Sequence, residues 1–156
     1  MLLIAESFLG LVLVLMFLGV WRTWNVQRQE NQSVFLTGTI PDPRPDGLYH
    51  GIVPGHKVSW LGKKFTASDS AGINVFDDGN GIVGERYPFQ TSVGKSVRDR
   101  TVGVLNIEYN LPENPFWLRL IVDEIVQVAP NQYLGKLHVR MIPGYPFAVG
   151  YFTLRR

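Results

Sequence analysis

The chain has 156 residues, with 15 Lys and Arg against 13 Asp and Glu and no cysteine. Lack of cysteine excludes disulfides, thiolate metal sites, a cysteine nucleophile and a lipidated-cysteine anchor. A net charge of +2 without a clustered basic surface gives no reason to expect nucleic acid, and the length suits one folded unit beyond any anchor.

From Leu2 to Trp21 the sequence is apolar, interrupted near its start by Glu6 and Ser7 and carrying the small residues Gly10 and Gly19. At the helical rise this run is roughly 30 Å long, about the thickness of a bilayer's hydrocarbon core, so residues 1–24 are expected to form one membrane-spanning anchor. No Lys or Arg lies within residues 1–7, and residues 17–21 offer no small-residue cleavage site, which argues for retention over a cleaved signal peptide. Trp21 and Trp24 suit the headgroup layer, and Arg22 and Arg28 follow the span while Glu6 precedes it. The positive-inside rule then puts the domain in the cytoplasm; the alternative is an uncleaved export signal with the domain outside.

Residues 25–46 turn polar and end in Pro41-Asp42-Pro43-Arg44-Pro45-Asp46, which reads as an extended linker. Beyond it, short runs rich in Val, Ile, Phe, Tyr and Trp recur between Gly, Pro, Asn and Asp clusters. They predict strands at 47–53, 57–66, 72–76, 81–89, 101–111, 116–128, 132–142 and 147–154. Asp77-Asp78-Gly79-Asn80-Gly81 and Pro130-Asn131 have the composition of hairpin turns. Residues 47–156 are therefore expected to be a mainly β domain, a small antiparallel barrel or a strongly curved sheet. In the last strand Phe147, Val149 and Tyr151 are expected to alternate inward.

Gly47-Leu48-Tyr49-His50-Gly51, Ser59-Trp60-Leu61-Gly62-Lys63-Lys64-Phe65, Asp123-Glu124 followed by Tyr133-Leu134-Gly135-Lys136, and the closing Tyr151-Phe152-Thr153-Leu154-Arg155 carry a resemblance. Together they resemble the GXWXG-type family with its uncharacterised C-terminal partner domain, although Tyr49 stands where that family's name has Trp. The resemblance implies a lipocalin-like barrel and no settled activity.

Gly79-x-Gly81-x-x-Gly84 matches a dinucleotide loop formally, but Glu85-Arg86-Tyr87-Pro88-Phe89 cannot begin the helix whose amides that chemistry needs, so a glycine-rich hairpin is expected. His50, His56 and His138 are isolated, which predicts no metal site and no cofactor. In 116–128, alternation puts Phe116, Leu118, Leu120, Val122, Val126 and Val128 on the core face with Glu124 among them, and turns Arg119 and Asp123 away. Glu124 then needs a partner or a proton, unless a twist of the strand delivers it to water. Trp60 and Phe65 have opposite parity; a bulge at Gly62 would bring Trp60, Lys63 and Phe65 to one side, whereas a regular strand leaves Lys63 a surface residue. Gln132, Lys136, His138 and Arg140 form a polar stripe, three of them basic, that could face anionic headgroups or only water.

Three functions fit. The first is a membrane-anchored binding module for an apolar or amphiphilic small molecule. Its candidate site is Tyr49, Trp60, Lys63, Phe65, Tyr109, Glu124 and Tyr133, with Lys63 selecting an acidic head such as that of a fatty acid. The second is a filled-core β domain supporting a membrane protein complex. The third is an enzyme on a lipid-like substrate, for which no catalytic residues assemble, since neither Ser59 nor Ser96 has an identifiable His partner. The expected partners are the lipid bilayer, an apolar ligand and a membrane protein.

Overall fold

The structure, a computed structural model, describes residues 2–156 and the side chains of all of these except residues 2–5 and 8; Met1, the first residue of the expected anchor, lies outside them. Helix α1 (Leu2–Gln27) and helix α2 (Glu30–Thr37) precede eight strands: β1 (Gly47–Ile52), β2 (Trp60–Thr66), β3 (Ala71–Asp77), β4 (Val83–Lys95), β5 (Gly103–Glu108), β6 (Ile121–Ala129), β7 (Gln132–Ile142) and β8 (Tyr145–Arg155). Each strand pairs antiparallel with its successor, and β8 returns to β1 through His50–Arg155, Gly51–Leu154 and Ile52–Thr153. The result is a closed eight-stranded antiparallel barrel with no free sheet edge. The β3–β4 and β6–β7 connections turn through left-handed residues, Gly79, Asn80 and Gly81 in one and Asn131 in the other. Gly79-x-Gly81-x-x-Gly84 accordingly leads into a strand and not a helix.

Two apolar cores result. Inside the barrel lie Tyr49, Phe65, Phe89, Leu105, Ile107, Tyr109, Ile125, Tyr133, Phe152 and Leu154. A second core on the barrel's outer wall joins Val26 and Phe35 of the helices to Val102, Val104, Val126, Leu134, Ala148 and Tyr151. Residues 25–46 are therefore not a free linker. They form a strap in which α2 seats Phe35 on the wall, Thr39 and Gln127 exchange backbone hydrogen bonds of 3.1 and 2.7 Å, and the Asp42 amide donates to Gln127 Oε1 at 3.0 Å.

That outer core reverses the parity read for β6. Val122, Glu124 and Val126 face outward under cover, while Asp123 and Ile125 point into the barrel. A strand buried on both faces has no polar side to set its phase. Residues 116–120 are not strand either, but a turn ending in a short 3₁₀ segment, Leu118–Leu120, with Phe116 exposed. In β8, Phe152 and Leu154 fill the barrel, whereas Tyr151 packs against Phe35 and Phe147 against α1. In β7 the supposed headgroup-facing stripe is interrupted, since Lys136 and His138 are buried. Lys136 Nζ donates to Asp99 Oδ2 at 2.7 Å and to Gln32 Oε1 at 2.8 Å.

Helix α1 is fastened to β8. The Ala148 amide donates to Thr23 Oγ1 at 3.0 Å, Arg22 Nε donates to the Val149 carbonyl at 2.6 Å, and Gly19 lies against the Phe147 ring. A β-carbon at Gly19 would come within 2.9 Å of Phe147 Cδ1, so glycine permits the close approach. One to two turns earlier, Val12, Leu15 and Met16 face Met141, Ile142 and Phe147 at the β7–β8 hairpin. The helix thus runs toward that hairpin. It contains an apolar stretch, Leu9–Gln27, long enough to cross a membrane.

Candidate functional site

Gly62 creates the site. Pairing between β2 and β3 slips between Trp60 and Gly62, so Trp60 and Lys63 both serve the interior despite their odd spacing. Gly62 has φ 142°, and a β-carbon there would meet the Tyr49 carbonyl oxygen at 2.0 Å, which leaves room for glycine alone. The bulge turns Lys63 into the barrel, where it is 1 % exposed.

The three ammonium protons of Lys63 meet three acceptors: Asp123 Oδ2 at 2.9 Å, Asn74 Oδ1 at 2.9 Å and the Tyr109 hydroxyl. Tyr109 in turn donates to Asp123 Oδ2 at 2.8 Å, and Trp60 Nε1 donates to Asn74 Oδ1 at 3.0 Å. Asn74 Nδ2 donates to the Tyr87 carbonyl at 3.0 Å. Tyr87 is held at φ 63° in a second slip, between Ile73 and Asn74 of β3 and their partners on β4. Four rings surround the ammonium, with centroids 5.1 Å (Tyr109), 5.2 Å (Phe89), 5.4 Å (Trp60) and 5.5 Å (Phe152) from Nζ. Burial pushes the Lys63 pKa down, and the Asp123 carboxylate opposes that shift. Burial, reinforced by Asp123, pushes Tyr109 well above the usual phenol range, so it stays a neutral donor.

Above this polar floor rises a cavity of about 330 Å³, at the small end for a small-molecule site. Its walls include Val53 and Val58 next to or within the β1–β2 loop and Trp117 and Leu118 of the β5–β6 connection. Asp123 also lines it, and Asp123 Oδ1 is buried without a hydrogen-bond partner. A larger hollow of about 650 Å³ along the strap, from Gly38 to Arg44, is an open surface groove away from the buried ion pair.

Of the candidate residues, Trp60, Lys63 and Tyr109 line the cavity. Tyr49, Phe65 and Tyr133 are packed together in the barrel core and do not line this cavity, with Tyr49 ring centroids 5.9 Å from Phe65 and 5.2 Å from Tyr133. Glu124 belongs to the other side of the wall. Its Oε2 accepts from Ser96 Oγ at 2.7 Å and its Oε1 from the Val97 amide at 2.5 Å, with His138 Nδ1 3.8 Å away. Desolvation raises its pKa to about 7 despite these donors, and burial lowers that of His138 to about 3.

Sequence reasoning missed Asp123 and Asn74. Asn74 left a signal, an amide between Ile73 and Val75 in mid-strand; Asp123 left none, because its neighbours on both faces are apolar. The pairing also alters the chemistry expected of Lys63. With its donors occupied and its charge balanced by Asp123, the floor is close to neutral, and its open valence is an acceptor. An anionic head would face the Asp123 carboxylate, whereas a neutral head would not meet that repulsion. No family model, curated protein or solved structure matches this chain.

Proposed function

We propose that this protein is a membrane-anchored binding module whose barrel holds a single-chain amphiphile with a neutral, hydrogen-donating head. The observation that carries the reading is the cavity of about 330 Å³ with apolar walls that ends on a buried Lys63–Asp123 pair with one unfilled acceptor. The walls supply burial at roughly 25 cal/mol per Å² of apolar surface, and the floor selects the head by directional hydrogen bonding. The resemblance to lipocalin-like barrels of the GXWXG type agrees with this use of the interior. In this reading α1 crosses the bilayer once, and Arg22 and Arg28 hold the domain on the cytoplasmic side.

The test has two parts. Organic extracts of the full chain purified in detergent are searched by mass spectrometry for a copurifying amphiphile. Displacement of an environment-sensitive fluorescent single-chain probe is then compared for dodecanol and dodecanoate at pH 8. The alcohol is expected to compete roughly tenfold better, about 1.4 kcal/mol. If neither competes and no amphiphile copurifies, the cavity is a packing defect and the domain serves a protein complex instead. Protection of the domain from added protease in intact cells checks its side.

A further inference from the structure

In a barrel built as a meander, alternate connections emerge at the same end, here β1–β2, β3–β4, β5–β6 and β7–β8. The cavity walls reach the first and third of these through Val58 and Trp117. The apolar residues left exposed on and beside these four connections are unusually large for solvated turns: Phe116 is 79 % exposed, Ile82 62 %, Val83 60 % and Met141 57 %, with Val58 and Trp117 about half exposed. The turns at the opposite end carry Ser68, Asp69 and Asn131, while the β4–β5 connection folds back along the wall, where Arg98 donates to the Pro146 carbonyl at 3.0 Å beside the β7–β8 hairpin. The barrel's largest apolar exposures thus sit at the four-connection end, interleaved with Asp77, Asp78 and Glu113, against 44 % for Val128 beside the β6–β7 turn.

Helix α1 points to the same end. Its residues Val12, Leu15 and Met16 lie beside Met141 and Ile142 of the β7–β8 hairpin, within the stretch apolar enough to cross a membrane. Gly19, Arg22, Thr23 and Val26 hold the end of that stretch on the barrel wall. Placing the part of α1 before them in a bilayer therefore brings the hairpin to the lipid boundary, and the other three connections with it, because a closed barrel moves as one body. Leu9, Leu13 and Phe17 on the helix are likewise exposed, so the apolar surface continues from α1 onto the rim.

We infer that the rim formed by these four connections sits in the membrane interface, so that the cavity opens onto the lipid and takes its ligand from the bilayer and not from water. This rests on the reading of α1 as a membrane span. It adds that the loops themselves bind lipid: Phe116, Trp117, Ile82 and Val83 enter the acyl boundary, where aromatic and aliphatic tips are favoured.

The absence of cysteine makes the test direct, since one introduced thiol is unique. The full chain is reconstituted in phosphatidylcholine vesicles carrying nitroxide-labelled acyl chains, with an environment-sensitive fluorophore on Phe116→Cys, Ile82→Cys, Leu13→Cys or Ser68→Cys in turn. All four positions are exposed, so folding is retained. The labels at 116, 82 and 13 are expected to lose at least half their emission to the nitroxides, and the label at 68 to lose little. Quenching at 13 without quenching at 116 and 82 overturns the membrane-seated rim and leaves the anchor standing. No quenching at 13 overturns both. Blue-shifted but unquenched rim labels overturn it in favour of a protein partner on the rim. Ligand displacement in detergent does not depend on where the rim sits, so the cavity reading and this one fail separately.

Discussion

Lys63 Nζ lies 2.9 Å from Asp123 Oδ2 in the interior of the barrel, with both side chains almost wholly removed from solvent. Taking two charges out of water is costly, and their attraction offsets that cost only while each retains the other. Lys63→Met and Asp123→Leu should each destabilise the fold by about 3–5 kcal/mol, because each strands a buried charge. The double variant should be more stable than either single one. Chemical denaturation of all four proteins in detergent measures the coupling; strictly additive losses would show that the pair is not a unit.

Cavity volume should govern binding without governing stability. Val53, just past the end of β1, lines the cavity and is partly buried. Val53→Phe adds volume where space exists, so the melting temperature should hold or rise while probe affinity falls at least tenfold. Unchanged affinity would move the ligand elsewhere.

The outer wall should respond to pH through two groups with opposite signs. Glu124 binds its proton more tightly in the fold, with a pKa of about 7 against about 4.5, so its contribution is complete below pH 4.5 and lost as pH rises through 7. His138 is held neutral, with a pKa of about 3 against 6.5, so its contribution is complete above pH 6.5 and lost as pH falls toward 3. Lys136 and Asp99 act on both and Arg98 on His138, and the Lys136 charge favours ionised Glu124 while opposing protonated His138. The two partly cancel between pH 6 and pH 8 in the wild type, so Glu124→Gln, which keeps only the His138 contribution, should show a melting temperature that rises over that window relative to the wild type. Parallel profiles would assign the pH dependence to other groups.

Seating of α1 on β8 depends on the contact between Gly19 and Phe147. Gly19→Val should cost about 1–3 kcal/mol by overpacking, and should expose residues 28–46 to protease as the strap loosens. Adding Phe147→Ala should restore part of the protection. No rescue would show that the helix is held by the Thr23 and Arg22 hydrogen bonds instead.

The architecture was legible because its signals are local. Alternating apolar runs, hairpin turns at 77–81 and 130–131 and a long apolar helix at the start each follow from a few adjacent residues. The bulge at Gly62 was legible for the same reason, since Trp60 and Phe65 conflict in parity unless one residue is extra. Lys63 was thus recognisable as a residue that could turn inward.

What sits opposite Lys63 was decided by tertiary structure alone. Asp123 and Glu124 are adjacent and similar, with Val122 on one side and Ile125 on the other. Period-two alternation assigns faces only when one face is wet, and β6 is dry on both, inside because the barrel closes and outside because α2, the strap and the β4–β5 connection cover it. Part of that cover comes from residues 25–46, whose polar composition reads as linker although Val26, Phe35, Pro41 and Pro45 are buried. The sequence by itself determined that a barrel forms behind an apolar helix. Packing of the strap and of the β4–β5 connection on the outer wall determined which carboxylate enters it, and so converted an expected acid-selecting lysine into a neutral floor with an unpaired acceptor.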